Sequence, residues 1–360
     1  MSEMRHKVKM GCILPTSGFE SGHARSQLLA VKLALEEGQQ ELDLPFDVEL
    51  VVEDDRVDPQ KAAEIARAFA EDNDILAVVG PMNTDSNLGA APVFNEAGLV
   101  HIATAASNPT LTQRGWRTFF RMVPSDIHHY RDAARFAVEK LGARRIAVVN
   151  DGSNFTRPMA EGFRDVALEL GADIPEFIGV ERGKDDYSDA VQVLAGAEYD
   201  LIFFVIIEAV AVIIARQLRE AGVMVPFFAT DGLKPFPYFA TWDYDVDGPY
   251  YTNVCADPRV KEKAGEMVKR YIKRFGEEPT VYMAEGYDAA TILLSALKNT
   301  GSSQPDREEV LGAVAATRNF LGTSGTITFD EHGDLLQPEI GIYKVEGREL
   351  KFLGFTKDLL

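Results

Sequence analysis

Several things are scarce in this chain, and each scarcity excludes a class of protein. Long apolar runs are missing: the longest, Leu201 to Ile207, is only strand-sized, far short of the ~20 residues that a membrane helix needs. Direct membrane insertion is therefore not expected. Cysteine is nearly absent. Cys12 and Cys255 are the only two, too few for a metal framework or a disulfide scaffold. Cys12 falls in the first apolar run and reads as a small buried apolar residue. Positive charge is in deficit: 37 Lys and Arg stand against 56 Asp and Glu, a net charge of −19. Sequence-independent nucleic-acid binding needs basic patches, and docking on an anionic membrane needs them too. The acidity reads as a solubility device.

Catalytic and metal motifs are scarce as well. There is no Gly-rich phosphate loop and no Gly-x-Ser-x-Gly elbow. His128 and His129 are adjacent, so they point to different sides of a helix and make no shared metal site. Asp243-Tyr-Asp245-Val-Asp247-Gly248 matches the front of a calcium loop, but Val254 stands where the bidentate Glu belongs; a solvated acidic loop is expected. Asn154-Phe155-Thr156 is formally a glycosylation sequon, a three-letter match that is frequent by chance. No catalytic residue, metal or cofactor is assigned.

What remains is an ordinary globular composition. Hydrophobic residues at 46% and charged residues at 26% exclude a disordered chain. The 360 residues suit two medium-sized domains. Along the chain, strand-like runs alternate with helical periodicity. Val8–Leu14, Phe46–Val52, Ala77–Gly80 and Val100–Ile102 read as strands, with helices at Ala24–Gln39 and from Pro59 to Ala70. Pro59 sits where the first helical turn tolerates it.

An extended passage, Thr118–Pro124, leads to a helix of Tyr130–Leu141 with Ser125 and Asp126 as caps. The grammar then restarts. Strands are expected at Arg145–Asn150, Phe177–Val180, Leu201–Ile206 and Pro226–Ala229. Helices are expected at Arg157–Leu170, Tyr187–Leu194 and Ala209–Ala221. Beyond the extended Pro249–Ala256 come helices at Val260–Phe275, Met283–Asn299 and Arg307–Thr317, then short strands at Gly325–Phe329, Glu339–Val345 and Leu350–Leu353. Alternation of this kind means parallel sheets covered on both faces. Extended crossings without a low-complexity linker imply a hinge and a cleft.

The stretch Leu76–Thr112 carries the strongest site signal. Two apolar strands end in small polar residues, Pro81-Met82-Asn83-Thr84-Asp85-Ser86 and Ala103-Thr104-Ala105-Ala106-Ser107-Asn108-Pro109. Such strand ends place backbone N–H groups and hydroxyls at the edge of a parallel sheet where ligands bind, and a helix N-terminus there attracts an anion. Thr84, Ala105 and Ser107 either cradle a small anion or, for the two hydroxyl residues, cap helices. Asp231 closes the run Phe227-Phe-Ala-Thr-Asp231-Gly232. It either meets a ligand ammonium or forms an Asp-Gly turn.

Taken in order, several short stretches resemble the type I periplasmic solute-binding proteins of the leucine/isoleucine/valine-binding family. They are Leu14-Pro-Thr-Ser-Gly18, Asp54-Asp-Arg-Val-Asp-Pro59, Val79-Gly80, Ala103–Thr112, Lys184-Asp-Asp-Tyr-Ser188, Thr230-Asp-Gly232, Tyr282–Ala289 and Phe329–Asp334. The likeness runs from Val8 to about Gly354. It implies two doubly wound parallel-sheet α/β lobes joined by a three-stranded hinge, residues 1–124 with 255–334 and residues 125–254 with 335–360. It implies no enzyme, but the ligand-capturing component of an ABC importer, its permease partner in the membrane and its ligand a small hydrophobic amino acid of the branched-chain type. An aromatic or other organic acid, or a role as a ligand-sensing receptor domain, is the alternative.

By the same resemblance Thr84, Ala105 and Ser107, with Met82 and Ala106 beside them, hold the ligand's α-carboxylate and α-ammonium. Asp231 meets the ammonium, and Tyr282 lines the side-chain pocket. Phe155 and Ile207 stand where related chains that bind aliphatic amino acids often carry tyrosines, and the family's first-lobe disulfide positions read Arg56 and Asn83 here. The N-terminal residues hold no apolar segment of signal-peptide type. The chain is thus either cytoplasmic or one whose signal has been removed, and the resemblance implies the second, a periplasmic or extracellular location.

Overall fold

Strands of a parallel sheet are covered on both faces, so they need continuous apolar runs rather than alternation. Ile75–Val79 and Leu201–Val205 are such runs, buried at every position. In the computed structural model, which describes residues 6–233, 249–346 and 349–360, they are interior strands of two separate sheets.

The first stretch holds β1 (His6–Ile13), α1 (Ser21–Glu41), β2 (Phe46–Glu53), α2 (Pro59–Glu71), β3 (Ile75–Val79), α3 (Thr84–Glu96), β4 (Val100–Ala103), the short α4 (Thr110–Gln113) and β5 (Phe119–Arg121). The second holds α5 (Asp126–Arg135), β6 (Arg145–Asn150), α6 (Thr156–Glu169), β7 (Asp173–Gly179), α7 (Ser188–Ala195), β8 (Leu201–Val205), α8 (Glu208–Glu220), β9 (Phe227–Ala229) and β10 (Tyr250–Asn253). Then come α9 (Glu262–Phe275), α10 (Met283–Asn299), α11 (Arg307–Ala315) and the hairpin of β11 (Phe320–Leu321) and β12 (Thr326–Ile327). The chain ends with β13 (Gly341–Glu346), β14 (Glu349–Phe355) and α12 (Thr356–Leu359).

These elements fall into two compact units, Met1–Pro124 with Cys255–Pro338, and Ser125–Val254 with Glu339–Leu360; the chain passes between them three times. In the first unit the sheet order is β2-β1-β3-β4-β5, parallel throughout. The strand order reverses between β1 and β3, the position where open α/β sheets bind ligands. On one side Ile65 and Phe69 of α2 and Phe94 of α3 pack on Val78. Elsewhere in the unit Ala30 and Leu33 of α1 pack with Met267 and Tyr271 of α9 and Met283 of α10.

In the second unit the order is β14-β13-β10-β9-β8-β6-β7. The strands β6 to β10 are parallel, with the reversal between β6 and β8. This sheet is not parallel to its edge: β13 runs antiparallel to both β10 and β14. β13 and β14 are consecutive strands, with Glu346 opposite Glu349, and consecutive strands joined by a short connection pair antiparallel. Val149, Ile202, Phe204 and Leu218 form one core cluster, and Val148, Phe163, Phe203 and Phe228 the other.

Some boundaries differ from the sequence reading. The helix expected over Tyr130–Leu141 begins at Asp126, because the Ser125 hydroxyl already caps it at the Ile127 N–H. It ends in a π-helical turn, Phe136–Lys140. The strand expected at Phe177–Val180 starts at Asp173, drawn out by pairing with β6. The strand expected at Gly325–Phe329 shortens to Thr326–Ile327 because its partner is only Phe320–Leu321. The calcium-loop residues Asp243–Gly248 lie outside the described residues. Among the described residues no helix is long and apolar enough to cross a membrane.

Candidate functional site

In the first unit, β3 runs into a cis Gly80–Pro81 bond. Gly80 has φ +91°, and a Cβ there would fall 2.2 Å from the Ile13 carbonyl oxygen, so glycine alone fits. The Asn87 side chain donates to the carbonyls of Pro81 (2.9 Å) and Asn83 (2.8 Å), folding this loop onto the first turn of α3. Met82 is buried within it. Thr84 is buried as well and is the first residue of α3; the cap position belongs to Asn83. Its hydroxyl is not the helix cap that one sequence reading expected.

The neighbouring strand β4 ends at the same edge, since β3 and β4 are parallel with Val79 opposite Ile102. Thr104 then donates to the Gln27 Oε1 at 2.6 Å. Ala105 is half-buried, and Ala106 and Ser107 are buried. Pro109 holds the cap position of α4, so Ser107 is not its cap either. The structure thus brings Met82, Thr84 and Ala105–Ser107 to adjacent strand ends beside a helix N-terminus.

Tyr282 comes from a distant part of the chain. It is buried and left-handed, φ +63°, at the start of α10. A Cβ at Gly286, in the first turn of that helix, would sit 3.4 Å from the Gln27 Cβ. The start of α10 therefore packs on the residue that receives Thr104. Glu285 in the same turn accepts from the Ala256 N–H at 2.6 Å, and burial pushes its carboxyl up to about 8.

Sequence reasoning missed what holds this edge together. Arg121 at the end of β5 is fully buried. It donates to the carbonyls of Ala106 (3.3 Å) and Asn108 (3.0 Å) and to the Thr112 hydroxyl (3.1 Å), and pairs with Asp334. The available signal was a cation inside the apolar run Phe119-Phe-Arg-Met-Val123.

In the second unit, Phe155, Ile207 and Asp231 follow β6, β8 and β9, which are neighbours in the sheet. Phe155 precedes α6 and Ile207 precedes α8, each in the cap position. Asp231 is buried and opens a 3₁₀ turn, Asp231–Leu233. A Cβ at Gly232 would meet the Ile206 carbonyl oxygen at 2.8 Å and the Phe155 ring at 3.5 Å. The fold therefore sets the Asp231 turn against the Phe155 ring and the Ile206 backbone at the end of β8.

Two further groups here were not singled out as site residues from sequence. The buried Asp151 carboxylate accepts from the Thr156 hydroxyl (2.6 Å), the Ser153 N–H (3.2 Å) and the Ile207 N–H (3.4 Å), and pairs with Arg182 (3.0 Å). Burial pushes this carboxyl up, but the hydrogen bonds from Arg182 and Thr156 outweigh it, and it stays below the usual range. His129 is buried while His128 is exposed. The His129 Nδ1 lies 3.8 Å from Asp231 Oδ1, and its Nε2 bonds to the Thr252 hydroxyl. Burial lowers the imidazole's pKa, against the raising fields of Asp231 and Asp132.

The chain and its fold have counterparts among known proteins. Residues 7–349 match the family model described as periplasmic binding protein. A Leu/Ile/Val-binding protein homolog 1 from Brucella melitensis is 28% identical over 83% of this chain and 79% of its own. A leucine-binding protein from Thermotoga maritima superposes with a TM-score of 0.86 at 29% identity, over 97% of this chain and 98% of that one. A solute-binding protein from R. palustris, crystallised with benzoate, has the same fold, with a TM-score of 0.84 at 18% identity over 97% and 96% of the two chains.

Proposed function

The chain belongs to the periplasmic binding protein family, and from that premise we propose that it captures a small hydrophobic α-amino acid, of the branched-chain type, for an ABC importer. The members of this family are solute-binding proteins, and no reaction is assigned to this one. The observation that carries the reading is the setting of Asp231. A buried carboxylate at a strand end, in the turn that packs on the Phe155 ring and next to the strand that leads into Ile207, suits a ligand that joins an ammonium to an apolar side chain. Thr84, Ala105 and Ser107 would supply hydroxyls and amides for the carboxylate, with Met82 and Ala106 beside them and Tyr282 toward the ligand's side chain.

A ligand that needs contacts from both units is held fully only when both close on it, so binding shifts the population toward the closed form. That form is what a membrane permease would recognise, and a periplasmic or extracellular location goes with this role. The second reading, an aromatic or other organic acid, is favoured by the absence of a hydroxyl at both Phe155 and Ile207. It uses the same cradle but brings Asp231 a carboxylate and no ammonium, and like charges repel.

The test is a thermal-shift panel on protein unfolded and refolded to strip carried-over ligand. The panel holds leucine, isoleucine, valine, phenylalanine, phenylacetate and 4-hydroxybenzoate. A ligand at about a hundred times its Kd adds about 2.7 kcal/mol. Stabilisation by the aliphatic amino acids, lost in Asp231→Asn, supports the reading. Stabilisation by the acids and not by leucine replaces it with the second.

A further inference from the structure

We propose that Arg121 is a positioning residue that aims the backbone amide of Ser107 at the ligand's carboxylate; this rests on the carboxylate-cradle reading above. A guanidinium at zero exposure is retained in a core only if its donors are matched. Here they are matched almost wholly by one loop. Nη1 bonds to the carbonyls of Ala106 and Asn108, and Nη2 to the Thr112 hydroxyl. Nε pairs with Asp334, whose other oxygen accepts from the Thr112 hydroxyl at 3.1 Å. The turn bearing Asp334 is itself held to β5, since the Arg121 N–H donates to the Gly333 carbonyl at 3.1 Å.

The consequence follows from peptide geometry. Among the described residues the cis bond is Gly80–Pro81, so the Ala106–Ser107 peptide is trans and planar. Its C=O and N–H then point in opposite directions. With the Ala106 carbonyl held toward the buried guanidinium, the Ser107 N–H faces away from it. A loop with no ladder of its own is thereby fixed before a ligand arrives, which is what a pre-organised donor requires. Lysine cannot substitute: an ammonium is a point charge without the planar fork that reaches several acceptors at once.

The experiment uses the full chain labelled with ¹⁵N-serine, with the Ser107 amide assigned by its disappearance in Ser107→Ala. Leucine and phenylacetate are titrated separately into wild type, Arg121→Lys and Asp334→Asn. In wild type the Ser107 amide is expected to move downfield on saturation. In Arg121→Lys that movement is lost and Kd rises about tenfold or more, while the free protein still unfolds cooperatively. Asp334→Asn changes both readouts in the same sense and decides the matter if Arg121→Lys fails to fold. The inference is overturned if the folded variants bind within about twofold of wild type with the same Ser107 shift. It is equally overturned if the wild-type amide does not move at saturation. A response to phenylacetate but not leucine removes the amino-acid reading and leaves the inference standing. Binding of neither removes the cradle and the inference together.

Discussion

Ser107 and Thr84 each bring a hydroxyl to the first unit's sheet edge without spending it on a helix cap. On the proposed function, Ser107→Ala keeps the backbone amide and loses one hydrogen bond to an anionic ligand. Such bonds contribute about 1.5–3 kcal/mol. The expected result is a leucine Kd raised by about tenfold to a hundredfold by isothermal calorimetry, with the free protein's melting temperature nearly unchanged. A different residue contributes to acid sensitivity. His101 in β4 is fully buried between Phe94 and Phe119, and burial lowers its pKa from 6.5 to about 3. In the unfolded chain the ring takes a proton below pH 6.5, and in the folded chain it does not. Its contribution is thus constant above pH 6.5 and is lost as pH falls from there toward 3. Between pH 7 and pH 5 His101→Leu should lose about 2 kcal/mol less stability than wild type, measured by urea unfolding at both pH values.

Elements carry their own weak points. The β3–α3 connection depends on Gly80, whose positive φ and contact with the Ile13 carbonyl leave no room for a side chain. Gly80→Ala is expected to cost at least about 2 kcal/mol and to weaken ligand binding, because Met82 and Thr84 follow directly. Chemical denaturation and a leucine titration together check this. Far from the site, α11 starts with a capping box in which the Asp306 side chain accepts from the Glu309 N–H and the Glu309 side chain accepts in return from the Asp306 N–H. Asp306→Ala should cost about 1 kcal/mol and leave leucine affinity unchanged, which makes it the control for the Gly80 variant.

At the scale of the whole molecule, each unit has its own sheet and its own apolar clusters, and three chain crossings connect them. Separate cores need not melt together. Calorimetry of the free protein is expected to show a transition broader than two-state. If the proposed function holds, saturating leucine should sharpen it and raise its midpoint in proportion to the logarithm of ligand concentration. A sharp two-state transition without ligand, unchanged in width when leucine is added, contradicts that coupling.

The sequence by itself determined the order of elements, the two α/β lobes and the residues at the strand ends. Helical periodicity, continuous apolar runs and capping residues are local signals, and α10 occupies the very span that its periodicity marks, Met283–Asn299. Thr84, Ser107 and Asp231 could be proposed as site residues because they lie a few positions beyond such runs, whereas Phe155 and Ile207 were proposed only through the family resemblance. Tertiary structure alone decided what holds them. Arg121 meets Asp334, 213 residues away in sequence; Asp151 meets Arg182 and the Ile207 N–H; His129 comes to lie beside Asp231. A buried charge must find a counter-charge or a set of carbonyls, but which one it finds depends on the path of the chain through space, and no pattern of neighbouring residues encodes that path.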